Sequence, residues 1–515
     1  MTYLAVSISA INIDEASAQT NSALTSGAEM LELRTDYLED LSSSLVEKLI
    51  SRIRTNKAAS LPMIVTCRDK HQDGAIDYPL KLRLEILTTA LKAGVEFIDF
   101  EYENFLFPEA AEKILTALSQ NQKARLILSA HDFKSKFDNI TKLYRHILTL
   151  YPAAIPKLVY TANHINDCFD AFDLLENTSD KRIIFCMGQA GLISRIIAQK
   201  LGSFVTFASI DDKNATAPGQ LTIEQLKNLY RYDSLNENTA LYGIIGSPVA
   251  HSLSPAVHNA GFAQADLNKL YLPLLVDGDK NEFDRFLKNI TSRPRLGFAG
   301  FSVTIPHKKN ALEYAKEHNG FIEPLAEKIG AVNTLTINKS QVSAYNTDYA
   351  GAMDAITSTL GIARDNLKQI KVAVIGAGGV ARAVVAGLSD AGANIKIYNR
   401  TIKKAEKLAA EFECDFAPLD DLPGIDAQLL INCTSIGMHP NIDASPLPKD
   451  CHKKDMTVFD TVYNPTETLL LKHAKAANAK TINGLDMFIN QAKQQFKIFT
   501  GLGANAELMR KIVSP

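Results

Sequence analysis

Ala217-Pro218-Gly219-Gln220, followed by Gly246-Ser247-Pro248-Val249-Ala250-His251-Ser252-Leu253-Ser254-Pro255, marks a seam between two α/β regions. Before the seam, a repeating strand and helix pattern fills about the first 200 residues. After it, a different α/β unit opens with a polar motif of substrate size. Between the two lies Tyr232-Asp233-Ser234-Leu235-Asn236-Glu237-Asn238-Thr239, polar and turn-prone, which reads as a linker. Two complete sites are expected on one chain.

Working outward, a chain of 515 residues exceeds what one core spans, and 46% apolar residues can fill two or three. The formal net charge is only −2 and no long basic tract occurs, which argues against a nucleic-acid partner. No apolar run approaches the roughly 20 residues that cross a bilayer. The start, Met1-Thr2-Tyr3-Leu4-Ala5-Val6-Ser7-Ile8, lacks the features of a signal peptide and reads as a strand. A cytoplasmic protein acting on small molecules is expected. Cys67, Cys168, Cys186, Cys414, Cys433 and Cys451 form no Cys-x-x-Cys pair, so buried free thiols are expected, with no metal site or disulfide framework.

Short β-rich runs recur through the first region at intervals of about 22 to 33 residues: 4–9, 30–33, 63–67, 96–100, 125–130, 156–160, 182–187 and 204–209. Eight such runs predict a (β/α)8 barrel, with an open doubly wound sheet as the alternative. The polar residues decide for the barrel. Glu32 and Arg34 end the second run, Arg68 the third, Glu101 the fourth, and His131 with Asp132 the fifth, while Lys157 lies within the sixth. All would meet at the C-terminal mouth, where such barrels keep their chemistry. A lysine at a strand edge can simply snorkel to water. Beside His131 and three arginines, however, desolvation and neighbouring cations would favour the free amine that attacks a carbonyl.

These residues carry a resemblance. With Thr66-Cys67-Arg68, Ser129-Ala130-His131-Asp132, Ser194-Arg195 and Ala217-Pro218-Gly219-Gln220, the first 231 residues resemble type I 3-dehydroquinate dehydratase. The resemblance implies an imine between Lys157 and the substrate ketone, His131 as general acid and base, and Arg195 on the substrate carboxylate. It also implies that Glu32, Arg34, Arg68, Thr216 and Gln220 bind the substrate. Two positions depart from the family pattern. Where a glutamate is expected to partner the histidine, this chain has Gln72 followed by Asp73, and Thr216 replaces the usual serine. Gln72 can orient His131 without balancing its charge, or Asp73 substitutes. A class I aldolase is the other imine-forming option, but it does not require the Ser129–Asp132 and Ala217–Gln220 motifs.

After the linker, strands are expected at 241–245, 270–275, 300–304 and 333–337. Ser252 and Ser254 can face one way from an extended segment, or simply open a helix. Lys308, at a probable helix start, stands out beside Asn333 and Asp348, because a lysine and aspartate pair can move a proton to or from a hydroxyl. Next, Lys371-Val372-Ala373-Val374-Ile375-Gly376-Ala377-Gly378-Gly379-Val380-Ala381-Arg382 places a Gly-x-Gly-x-x-Ala turn between strand and helix, as dinucleotide binding requires. The following strand ends in Asn399-Arg400-Thr401, with Lys404 nearby. Cations in place of an acid favour NADP over NAD. Thr434 and Ser435, then Gly484, would line the nicotinamide side, and a closing helix at 488–501 carries Gln491.

From 241 onward the chain is similar to shikimate dehydrogenase. The resemblance implies Lys308 and Asp348 as the catalytic pair, and Ser252, Ser254, Thr304, Asn333, Tyr463 and Gln491 as substrate ligands. Residues 241–346 with 485–515 would form the substrate lobe, and 347–484 the Rossmann domain. The whole chain then resembles the fused dehydratase and dehydrogenase, without the long transit segment of a plastid form. Its first half would make what its second consumes, with no obligate protein partner. A quinate dehydrogenase and a regulator that has lost its chemistry are the alternatives. Ser254 and Thr304 speak against the first, and the retained Lys157, His131, Lys308 and Asp348 against the second.

Overall fold

The computed structural model describes residues 2–55, 61–217, 219–338 and 341–513. Two compact units emerge: Met1–Leu241 with Pro248–Pro255 and Asn268–Gly297, and Tyr242–Ser247 with Ala256–Leu267 and Phe298–Pro515. Among the described residues no helix is long and apolar enough to cross a membrane. All six cysteines are free, and Cys67, Cys168 and Cys186 are buried.

In the first unit, eight strands pair in the order β7-β6-β5-β4-β3-β2-β1-β8. They are β1 Tyr3–Ile8, β2 Met30–Arg34, β3 Met63–Thr66, β4 Phe97–Glu101, β5 Arg125–Asp132, β6 Ile155–Thr161, β7 Ile183–Met187 and β8 Val205–Ala208. Every expected run is a strand, and the pairings are parallel. Because side chains alternate across a strand, one position in two faces inward. Ala5, Met30, Ile64, Phe97, Ile127, Ile155, Ile183 and Val205 share one apolar cluster, a floor inside the barrel. Two residues further along each strand come Ser7, Glu32, Thr66, Asp99, Ser129, Lys157, Phe185 and Phe207. The chemistry is therefore carried one inward position above the floor.

At their bases β7 and β8 are joined by the Phe204 N–H, which donates to the Arg182 carbonyl at 2.7 Å. Further up, the segment after β7 folds back on it. A Cβ at Gly191 would lie 2.4 Å from the Met187 carbonyl oxygen, so only glycine fits there. This close approach lets the short helix Leu192–Ile196 bring Ser194 onto the Cys186 N–H at 2.8 Å, and it delivers Arg195 to the mouth.

The expected linker is not a loose connection. Tyr232, Leu235 and Thr239 are buried, and the Tyr232 hydroxyl donates to the Thr2 carbonyl at 2.9 Å. Lys200 Nζ donates to the Glu237 carbonyl at 2.6 Å. Polar composition suggested a linker, but two buried apolar side chains and hydrogen bonds to backbone carbonyls make the segment part of the barrel's packing.

A second sheet has the order β10-β9-β11-β13-β14-β12, built from β9 Ala240–Gly246, β10 Lys269–Leu275, β11 Phe298–Val303, β12 Phe321–Ile322, β13 Thr334–Asn338 and β14 Gln341–Tyr345. The four expected strands are present. The last two were not foreseen: β12 has only two residues, and β14 is the antiparallel partner of β13.

The third sheet is parallel, in the order β17-β16-β15-β18-β19-β20: β15 Lys371–Ile375, β16 Asn394–Asn399, β17 Asp415–Pro418, β18 Leu429–Asn432, β19 Thr457–Asp460 and β20 Lys480–Ile482. This is the doubly wound dinucleotide order. The strand order reverses between β15 and β18, which are paired through Ile375 and Asn432. The glycine turn and the segment beginning at Cys433 therefore leave adjacent strands at the crevice where such folds bind ligands. The closing helix runs from Gly484 to Thr500, starting earlier than expected. It packs against the helix Thr347–Leu360, where a Cβ at Gly351 would lie 2.8 Å from the Met487 carbonyl oxygen.

Candidate active sites

The barrel mouth holds an open cavity. Glu32, Arg34, Arg68, His131, Lys157, Arg195, Thr216 and Gln220 all line it, so the expected dehydratase residues converge as the strand ends required. Lys157 is buried, with its ammonium 2.8 Å from Asp99, 3.5 Å from Glu32, and 4.4 Å from the centre of the Phe207 ring. This corrects the expectation that cations dominate its surroundings: two carboxylates meet it first.

Asp99 was not foreseen as a site residue. It is fully buried and accepts from Arg68 at 2.9 Å and from the Ser129 hydroxyl at 2.6 Å as well as from Lys157. Burial pushes its carboxyl up, but Arg68 and Lys157 outweigh that and hold it well below the usual carboxylate range. The available signal was its parity with Glu101, two residues on and on the same inward side of a strand that is otherwise apolar. Ser7 was missed for the same reason; its hydroxyl donates to Glu32 at 2.7 Å.

Most cations here are already matched. Arg34 grips Asp36 with two bonds, at 2.9 and 2.8 Å. Arg68 is shared among Asp99, Glu101 and Ser129. Arg83 joins Glu101 to Asp69. Arg195 differs. It is 1% exposed, it stacks 4.4 Å from the Phe185 ring centre, and its Nε and Nη2 have no hydrogen-bond partner among the described residues. Burial draws its guanidinium down to about 10, which leaves it a cation at neutral pH. A buried guanidinium without an acceptor is costly, and a carboxylate in the cavity would satisfy it.

His131 Nδ1 meets Gln72 Oε1 at 2.9 Å, and Gln72 Nε2 donates to Glu103 at 3.5 Å. Gln72 therefore orients the ring. Asp73 takes a left-handed turn at φ 65° and offers its backbone carbonyl to Arg34 at 3.5 Å. With the amide oxygen facing Nδ1, that nitrogen carries the proton and Nε2 keeps its lone pair. Burial, then Arg68 and Lys157, hold the imidazole well below its usual pKa and so neutral. Thr216 donates from both its N–H and its hydroxyl to Gln220 Oε1, at 2.7 and 3.1 Å. Gly219 has φ +73°, and a Cβ there would lie 2.7 Å from the Gly188 carbonyl oxygen. Pro218 lies outside the described residues.

In the second unit Lys308 and Asp348 form an ion pair at 2.5 Å, both partly exposed. Lys308 begins the helix Lys308–Glu317, and Asp348 lies in the first turn of the helix capped by the Asn346 side chain. Asn333 lies on the buried side of this pair: its Oδ1 accepts the Thr347 N–H at 2.8 Å, and its Nδ2 donates to the Thr347 hydroxyl at 3.0 Å. The same hydroxyl reaches Gln491 Oε1 at 3.4 Å. Thr347 was not foreseen, although it stands between two residues that were. Thr304 is partly buried after β11, and Tyr463 packs 5.6 Å from the Phe488 ring centre while remaining 39% exposed. Ser252 has the helix-opening role, its Oγ accepting the Ser254 N–H at 3.2 Å, and Ser254 starts the helix Ser254–Gln264.

The glycine turn is shaped for a phosphate group. Gly376 has φ +109°, and a Cβ there would come within 3.0 Å of Thr434 Cγ2. Gly378 and Gly379 face open space, with nothing within 4 Å of an added Cβ, at the N-terminus of the helix Gly379–Asp390. Ala377 and Val380 are partly buried beside them, and Ala381 is fully buried in the sheet core. Asn399, at the end of β16, donates to the Thr401 carbonyl at 2.8 Å, and Arg400, Thr401 and Lys404 are exposed. Thr434 donates to Asn432 Oδ1 at 2.7 Å, and Ser435 is exposed. A Cβ at Gly484 would lie 2.5 Å from the carbonyl oxygens of Thr461 and Val462, so its smallness serves packing. These residues fit a dinucleotide with a phosphorylated ribose.

Residues 4–237 match the family model of type I 3-dehydroquinase, 244–335 that of the shikimate dehydrogenase substrate binding domain, 360–492 that of shikimate / quinate 5-dehydrogenase, and 484–513 that of the shikimate 5'-dehydrogenase C-terminal domain. A chloroplastic bifunctional 3-dehydroquinate dehydratase/shikimate dehydrogenase of Arabidopsis thaliana is 36% identical over 525 residues, covering 98% of this chain and 83% of that one. A shikimate dehydrogenase (NADP(+)) of Methanocaldococcus jannaschii is 43% identical over 291 residues, covering 54% of this chain and 98% of its own. A crystal structure of a shikimate dehydrogenase in complex with NADP+ shows 41% identity and a TM-score of 0.49, covering 54% of this chain and 96% of that one. This chain belongs to the family of bifunctional 3-dehydroquinate dehydratase/shikimate dehydrogenases.

Proposed function

We propose that the barrel dehydrates 3-dehydroquinate through an imine on Lys157, and that the second site reduces the resulting 3-dehydroshikimate to shikimate with NADPH. The observation that carries the first step is Arg195, a buried cation whose Nε and Nη2 have no acceptor among the described residues, in one cavity with Lys157 and a neutral His131. Arg195 takes the substrate carboxylate, while Glu32, Arg34, Arg68, Thr216 and Gln220 contact the rest of the ring. The Lys157 nitrogen adds to the ketone, whose oxygen leaves as water with two of the three ammonium protons, giving an iminium that keeps the third proton and draws electrons from the neighbouring C–H bond. His131 accepts that proton at Nε2 and returns one to the departing hydroxyl, so that water is lost from the ring. Hydrolysis of the iminium frees the enone and the amine. The ion pair with Asp99 suits this route, because ammonium and iminium carry the same charge on the same nitrogen.

In the second reaction the dinucleotide supplies hydride. The turn Gly376 to Ala381 would receive its pyrophosphate, Asn399, Arg400, Thr401 and Lys404 its phosphorylated ribose, and Thr434, Ser435 and Gly484 the nicotinamide side. Lys308 delivers a proton to the new alkoxide and Asp348, 2.5 Å away, holds that lysine in position. Thr304, Asn333, Tyr463 and Gln491 hold substrate hydroxyls, and Ser252 and Ser254 are assigned the carboxylate. We divide the chain into 1–231 for the barrel, 232–240 for the connection, 241–346 with 485–515 for the substrate lobe and 347–484 for the Rossmann domain. Six free cysteines fit a reducing compartment such as the cytosol. The reading needs no partner protein.

Borohydride added with 3-dehydroquinate should reduce the imine onto Lys157, and peptide mapping would find the label there. A label elsewhere, or none, overturns the dehydratase reading. For the second site, a higher kcat/KM for quinate than for shikimate would replace shikimate by quinate as the substrate.

A further inference from the structure

Behind Asn333, five hydrogen bonds run in one direction. Ser302 Oγ donates to Gln495 Oε1 at 2.8 Å, and Gln495 Nε2 donates to Thr334 Oγ1 at 3.0 Å. Thr334 Oγ1 donates to Asn333 Oδ1 at 2.9 Å, and Asn333 Nδ2 donates to Thr347 Oγ1 at 3.0 Å. The Thr347 hydroxyl then reaches Gln491 Oε1 at 3.4 Å. Ser302, Asn333, Thr334, Thr347 and Gln495 are all buried, so bulk water does not compete for these groups.

Backbone groups fix the direction. A backbone N–H only donates, and that of Thr347 lies 2.8 Å from the Asn333 side chain, so the amide oxygen must face it. A backbone carbonyl only accepts, and that of Asn333 receives Gln495 Nε2 at 3.3 Å. With its oxygen so placed, the Asn333 amide must donate to the Thr347 hydroxyl, whose single proton therefore points elsewhere. Asn333 Oδ1, 3.3 Å away, already accepts two shorter bonds. Gln491 Oε1 remains as the acceptor with capacity to spare.

We propose that Thr347 fixes the polarity of both substrate-facing amides, so that Asn333 and Gln491 present N–H donors to the ligand. The second N–H of Asn333 and the amino group of Gln491 are then committed to ligand oxygens that offer lone pairs. This wall of the site reads hydroxyl or carbonyl oxygen and rejects a group that can only donate, such as a protonated amine. Thr347 is a positioning residue, acting through the two amides. The inference rests on the reading that Asn333 and Gln491 bind the polyol substrate.

Thr347→Val keeps the shape and deletes the hydroxyl, while Thr347→Ser keeps the hydroxyl. In shikimate oxidation, Thr347→Val should raise the KM for shikimate on the order of 10-fold, because the Asn333 amide loses its acceptor and Gln491 loses the donor that fixes its oxygen and can flip, while the Thr347 N–H still holds Asn333 Oδ1. The KM for NADP+ and the dehydratase rate should stay at wild-type values, which reports that the variant is folded. Thr347→Ser should restore the KM for shikimate to within about 2-fold of wild type. Equal losses in the two variants would overturn the proposal in favour of methyl packing. An unchanged KM in Thr347→Val, with a raised KM in Asn333→Ala, would overturn it while the substrate reading stands. An unchanged KM in Asn333→Ala as well would remove both.

Discussion

At the barrel mouth buried charged side chains dominate the polar contacts, whereas around Asn333 the buried polar side chains are neutral. Lys157, Asp99, Arg68 and Glu101 form buried ion pairs, and Arg195 is left over. On the other side, one partly exposed pair, Lys308 and Asp348, stands beside a relay of amides and hydroxyls. The difference follows from what each reaction must stabilise. An imine route keeps a positive charge on one nitrogen through most of its course, so carboxylates fixed in advance serve it without reorganisation. Reduction of a ring ketone makes a transient alkoxide that one lysine can quench, and the remaining task is to tell one hydroxyl pattern from another. Neutral, directional groups do that better than charges.

If the two sites differ in this way, each should fail on its own. The largest effect is expected for Lys157→Ala, which removes the proposed nucleophile. Dehydration should fall by about 10⁴-fold or more, while shikimate oxidation is unaffected. Measured separately, a parallel fall in both rates would show that the halves do not work independently. Next in size, Lys308→Ala should slow ketone reduction by about 10²- to 10⁴-fold with dehydration intact. A loss below about 10-fold would transfer the proton to another donor.

The smallest effect sharpens the contrast in charge. In the proposed mechanism His131 works as a base only when neutral. Burial, Arg68 and Lys157 hold its pKa low, so dehydratase activity should persist as pH falls until that depressed value is crossed. Gln72→Glu places a carboxylate where a neutral amide now sits, and this favours the imidazolium. The acid limb of kcat/KM against pH should move up by about 1 unit, and the dehydrogenase profile should not move. An acid limb that stays in place would mean that His131 does not set it.

Much of the architecture could be read along the chain. All eight barrel runs, the four strands of the second sheet that were expected, and the glycine turn after β15 stand where periodicity and turn chemistry put them. Arg34, Arg68, His131 and Lys157 were legible because each ends or interrupts an apolar strand. Asp99 was harder to see: a single carboxylate inside a strand can mean an error of register, an edge or a site. Only its neighbours on β3, β5 and β6 tell these apart. Tyr232 and Leu235 looked like a loose connection because composition carries no information about what lies beneath a segment.

The order of residues determined the elements and the faces of strands, since alternation and capping act over a few residues and are written locally. It also determined which chemistries were possible, through a lysine in a strand and a glycine turn before a helix. Tertiary structure decided which charge meets which. Stagger between strands places Asp99 against Lys157, the fold-back at Gly191 delivers Arg195 to the mouth, and the helix opening at Thr347 meets both Asn333, just before β13, and Gln491, on the closing helix. The first and the last of these depend on distances of about 3 Å between residues 14 to 144 positions apart, set by the packing of whole elements and not by any local pattern.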